Sequence, residues 1–108
     1  MGEQLKRKIE LFKSWFKQKE STLIEYGCAI SIISDTEKWF GMEISNNLKA
    51  FIININLPDF APYFSISMEI YNLEEDEPLS MVWHDSVETD ILEFKLEFER
   101  FFDYLITI

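Results

Sequence analysis

One cysteine, one histidine, three glycines and three prolines are all that this 108-residue chain holds of the residues most often read for chemistry or for turns. The single thiol, Cys28, excludes an intramolecular disulfide, and a lone thiol fits a reducing compartment. With so few Cys and His there is no CxxC, HxxxH or HExxH spacing, so the familiar metal frames are excluded. Three glycines leave neither GxxxxGK[ST] nor GxGxxG, and no phosphate-cradling loop is expected. No cofactor is expected. Apolar runs are only a few residues long, far below the roughly 18 needed to span a bilayer. The N-terminal MGEQLKRKIELF has charges with no apolar stretch behind them, as a secretory signal would have. Lys6 stands where a myristoylation pattern needs Ser or Thr. These absences lead us to expect a soluble cytoplasmic protein without a membrane partner.

Cations are scarce as well. Ten Lys and Arg face twenty Asp and Glu, giving a net charge of −10, and the imbalance is uneven. Residues 1–20 hold six cations against three anions, whereas residues 21–108 hold four against seventeen. A body this acidic repels nucleic acid, so no direct nucleic-acid binding is expected. It draws basic partners instead.

Apolar and aromatic side chains are plentiful: 47% of residues are hydrophobic and 16% aromatic. That is enough for the core of one domain spanning residues 1–108, at about 25 cal/mol per Å² of apolar surface buried. Residues 3–18 repeat apolar side chains at Leu5, Ile9, Phe12 and Phe16, with Leu11 and Trp15 widening the stripe, which predicts a helix. Residues 23–33 read as a first strand with a bend at Gly27, followed by a turn over SDTEK (34–38). Phe40, Met42 and Ile44 alternate with Gly41, Glu43 and Ser45; Asn46-Asn47 offers a turn. Phe51, Ile53, Ile55 and Leu57 then alternate with Asn54 and Asn56 up to the break PDFAP (58–62). Phe64, Ile66, Met68 and Ile70 alternate with Ser65, Ser67 and Glu69, and Leu79, Met81 and Trp83 form a last strand.

Asp85 or Ser86 has the form of a helix cap, with Glu88 and Asp90 favouring the positive end of the helix. Residues 87–105 carry the stripe Ile91, Phe94, Phe98, Phe101, Phe102 and Leu105, broadened by Leu92 and Leu96. Every strand has one apolar and one polar face. We therefore expect an α+β two-layer sandwich. An antiparallel sheet of about five strands should carry the N-terminal and C-terminal helices on one face.

No enzyme is expected. His84 is the natural general base, but alternation sets it on the face opposite Trp83, and Cys28 is the sole thiol that could serve it. The run Glu74-Glu75-Asp76-Glu77 lacks the alternating frame of a calcium loop. It reads either as a solvated hairpin loop or as a landing surface for a basic partner.

In length, charge, aromatic content and the segments EKWFGMEISNN and SMVWHDSVETDIL, the chain resembles bacterial toxin immunity proteins. The likeness is greatest to those of contact-dependent growth inhibition systems, the TriTu group in particular, whose toxins act together with elongation factor Tu. The resemblance implies a cytoplasmic protein that binds and neutralises a cognate toxin, a basic nuclease or tRNase domain, through an acidic and aromatic surface. On that reading Glu74, Glu75, Asp76 and Glu77 form the electrostatic part of the patch. Asp85, Glu88 and Asp90 are its neighbours, and Tyr71, Trp39 and His84 are polar-aromatic contacts. A secretion chaperone that holds an effector segment has the same size and acidity. So does a nucleic-acid mimic directed at a DNA-binding protein.

Overall fold

The apolar stripes fold as their periods require. The computed structural model describes residues 2–56, 65–76, 78–86 and 88–107, the side chains of residues 2–4 excepted. Helix α1 (Gly2–Glu25) leads into five strands, β1 (Ala29–Asp35), β2 (Trp39–Ser45), β3 (Lys49–Asn56), β4 (Ile66–Asn72) and β5 (Leu79–His84), and helix α2 (Ile91–Ile106) closes the chain. The strands form one antiparallel meander in chain order. The expected α+β architecture is therefore the observed one, with both helices against one face of the sheet.

The core lies between the layers. Phe40, Met42 and Ile44 of β2, Phe51, Ile53 and Ile55 of β3, and Ile66, Met68 and Ile70 of β4 point into it. From above, α1 contributes Leu5, Ile9, Phe12, Trp15 and Leu23, and α2 contributes Phe94, Phe98, Phe101, Phe102 and Leu105. Phe12 joins rings from three elements: its centroid is 5.7 Å from Phe40 of β2 and 5.2 Å from Phe98 of α2. Trp83 of β5 stacks on Phe94 at 6.1 Å. Among the described residues no helix is long and apolar enough to cross a membrane.

Two boundaries and one helix face differ from the sequence reading, each for a local reason. First, α1 runs to Glu25, so residues 23–25 are helical and the first strand begins only at Ala29. Leu23 continues the buried stripe and holds the helix on. Gly27 is the residue that ends this helix rather than a bend within a strand. It sits at φ 78°, with Gly27 N–H donating to Ile24 O at 3.0 Å and Cys28 N–H to Leu23 O at 3.0 Å. That is the Schellman arrangement.

Second, α2 starts at Ile91. Asp90 is its cap, its carboxylate accepting Glu93 N–H at 2.8 Å. Asp85 cannot serve there because its carboxylate is turned inward. Third, Leu92 and Leu96 face outward rather than broadening the stripe, at 64% and 61% exposed. Leu57, Phe64, the PDFAP break and Glu77 lie outside the described residues.

Two polar clasps tie the layers together. Asp85 is buried, accepting Ser65 N–H at 2.7 Å and Ile66 N–H at 2.9 Å, and pairing with Lys8 of α1 at 2.8 Å. Lys49, buried at the start of β3, donates to Tyr104 O and Thr107 O, both at 2.6 Å. Asn46 Nδ2 adds a bond to Leu105 O at 3.0 Å. A cation and an amide thus satisfy the carbonyls at the negative end of α2.

Candidate functional site: the uncovered face of the sheet

With both helices on one side, no described helix covers the other side of the sheet, whose residues are mostly half-buried. Alternation decides what stands there. β2 presents Trp39, Gly41, Glu43 and Ser45; β3 presents Ala50, Ile52, Asn54 and Asn56; β4 presents Ser67, Glu69 and Tyr71. The edges add Ser31 from β1 and Val82 and His84 from β5. Register aligns Ser31, Glu43, Ile52, Glu69 and Val82 in one row across the sheet, and Gly41, Asn54, Ser67 and His84 in the next.

Trp39 is 40% exposed and yet fixed. Its backbone N–H donates to Thr36 Oγ1 at 3.0 Å and its indole N–H to Asn54 Oδ1 at 2.8 Å. The indole reaches Asn54 by passing over Gly41. A Cβ there would stand 3.0 Å from Asn54 Oδ1, 3.1 Å from Trp39 Nε1 and 3.3 Å from Ile33 Cβ. Ile33 comes to this side because the β1–β2 register shifts between Ile32 and Ser34. A glycine, an amide and a bulge together hold one large ring flat on the sheet.

At the other end of the face, Tyr71 Oη donates to Glu69 Oε2 at 2.8 Å. That bond, aided by partial burial and the carboxylate's charge, pushes the phenol pKa up. Glu74, Glu75 and Asp76 follow on the exposed turn beyond Asn72, whose Oδ1 accepts Glu74 N–H at 3.2 Å.

The expected site residues are thus divided. Trp39 and His84 lie at one end of the uncovered face, Tyr71 at the other, with Glu74 to Asp76 just past it. Glu77 lies outside the described residues. Glu88 and Asp90 are exposed but follow the far end of β5, so they are not neighbours of the acidic run. The six residues of β5 separate the two groups by about 20 Å. Asp85 is not a surface contact at all: it is 4% exposed and engaged with Lys8, Ser65 and Ile66. Sequence reads Asp85 as a cap acid beside the run, because it does not show that the chain turns inward there.

Glu43, Glu69, Ile52, Asn54 and Ile33 were not singled out from sequence. The signal for the first four was the polar half of each strand's alternation.

The cations are placed unevenly, although α1 and α2 also carry eight acids between them. Six cations (Lys6, Arg7, Lys8, Lys13, Lys17, Lys19) lie on α1, and Lys95 and Arg100 lie on α2. Lys49 is buried under the end of α2, and Lys38 is in the β1–β2 turn. These ten are all the Lys and Arg of the chain, so the uncovered face bears no cation, while Glu43 and Glu69 stand near its middle.

Cys28 precedes β1 and His84 ends β5, the two outer strands of the sheet, so they form no Cys–His pair. Burial pushes the Cys28 thiol pKa up, with the Asn46 side chain pulling the other way. Among the described residues no group of three or more His, Cys, Asp or Glu is placed to hold a metal ion. The fold and this face define an α+β domain with one sheet surface covered by helices and one that no described helix covers. No family model, no curated protein and no solved structure matches the chain.

Proposed function

We propose that the chain is an inhibitor of the immunity type, which binds a basic toxin domain and keeps it from acting. The observation that carries this reading is the make-up of the sheet face away from the helices: Glu43, Glu69 and a fixed Trp39 with no Lys or Arg, in a chain of net charge −10 whose helices balance eight cations with eight acids. Toxins that cleave nucleic acids are basic because they grip phosphates. A rigid acidic surface is attracted to the same region of such a toxin that its substrate occupies. Steering by the net charge of −10 accelerates capture, and close charge pairs strengthen the complex.

The test is co-expression with basic nuclease toxin domains, any encoded beside this gene first, with growth as the readout, followed by light scattering of the purified mixture. Rescue of growth and a one-to-one complex that weakens with salt are expected. Unrelieved toxicity together with no complex would overturn the reading.

The exposed Leu79 and Val82 on the outer strand β5 favour a second reading, a chaperone that adds an extended effector segment to the sheet edge. That protein would be a dimer and would bind the unfolded segment rather than the folded domain.

A further inference from the structure

Resting on the basic partner of the proposed function, we infer that the partner docks on the uncovered sheet face, with an arginine of its folded surface stacked on the indole of Trp39. The acidic turn at Glu74–Asp76 is then outside the contact. Three observations select this face. It lacks any Lys or Arg although the chain has ten. Glu43 and Glu69 lie one strand apart on either side of Ile52, a spacing of about 10 Å that suits the two ends of a short basic segment.

The third observation is Trp39 itself, an exposed ring held at its N–H by Asn54 and laid over Gly41. A ring fixed in advance loses little freedom on binding, and its face attracts a planar guanidinium more than an ammonium. The turn acids have no such companion: Leu73 is their only exposed apolar neighbour among the described residues of the turn.

The test uses a probe that needs no identified partner. A capped peptide of nine arginines is titrated into the whole chain at low salt, with backbone and indole N–H resonances recorded, and a nine-lysine peptide serves as comparison. Saturable movement of the Trp39 indole resonance and of the amides of Glu43, Ile52 and Glu69 is expected. Arginine should bind more tightly than lysine, and Trp39→Ala should weaken the arginine peptide by about two- to five-fold. Gly41→Ala provides a second variant, since the added Cβ meets Asn54 Oδ1 at 3.0 Å and Trp39 Nε1 at 3.1 Å and makes the indole and its amide partner give by a few tenths of an ångström. It should lower affinity in the same direction.

Movement confined to the 73–76 turn, no saturable movement, or equal affinity of both peptides for the native chain and Trp39→Ala would each overturn the inference. Growth rescue separates this from the function itself. Full rescue by a folded Trp39→Ala, Glu43→Gln, Glu69→Gln variant would sink the docking face and leave the inhibitor standing. Peptide mapping to the face with no toxin neutralised would do the reverse.

Discussion

At the scale of single residues, the polar side chains of this domain divide by what they are attached to. Asp85 is buried and takes two backbone N–H groups plus the Lys8 ammonium, so it acts as a joint between α1 and the start of β4. Removing it leaves a partly buried cation and two amides without their acceptor. Asp85→Ala should therefore cost about 3–5 kcal/mol in urea unfolding, far more than a surface acid. A loss below about 1 kcal/mol would refute the joint.

Tyr71 is the opposite case, half of a part-buried pair with Glu69 at one end of the face. Its bond to Glu69 makes the phenol hold its proton to higher pH in the folded chain than in the unfolded one. The contact therefore favours the fold below the ordinary tyrosine value and is lost as pH rises through the raised one. Ultraviolet titration of the phenolate, with Tyr71→Phe identifying the signal, should place Tyr71 above an ordinary tyrosine. Glu69→Gln should bring it back down. An unchanged titration in Glu69→Gln would show that the bond is not maintained in solution.

At the scale of elements, the ends of the helices are built by residues whose role depends on backbone conformation. Gly27 has φ 78° and open space where a Cβ would be, so substitution strains the backbone without meeting a clash. Gly27→Ala should destabilise by about 1 kcal/mol, and Gly27→Asn by less, because Asn tolerates the left-handed region. Equal stability of all three would mean that α1 ends without the Schellman turn.

That glycine also shows where sequence stops being legible. The periods of Phe40–Ile44, Phe51–Ile55 and Phe94–Leu105 predicted the central strands, the last helix and the two-layer sandwich, because each stripe must be buried against another. The stretch LIEYGCAISII has no such signature. It is apolar enough for a strand, and only the packing of Leu23 against the core makes its first residues helical. Asp85 or Ser86 is the cap expected from sequence and Asp90 only an acid favouring the helix end; with Asp85 held inward by Lys8, Asp90 is the cap. The site was legible in its parts, since Trp39, Tyr71 and His84 were singled out and do share a face. Its unity was not, because cross-strand rows such as Glu43, Ile52 and Glu69 depend on register.

At the scale of the whole molecule, a net charge of −10 and the particular acids that touch a partner do different work. Charges at a distance from the contact alter the approach, and those inside it alter the escape. Under the proposed function, Glu74, Glu75 and Asp76, exposed on a turn past the end of the sheet, act on a partner that is still diffusing. Replacing the three with Gln and Asn should slow association with the toxin domain by a few-fold at low salt and flatten its salt dependence, leaving dissociation nearly unchanged. Glu43 and Glu69 lie on the face itself, and their replacement by Gln should speed dissociation by about ten-fold, a loss of about 1.4 kcal/mol, with a smaller effect on association. Surface plasmon resonance at two ionic strengths measures both rates. The reverse pattern, with the turn variant dissociating faster and the sheet variant only associating more slowly, would mean that the acidic turn is the contact and the bare sheet merely contributes to the field.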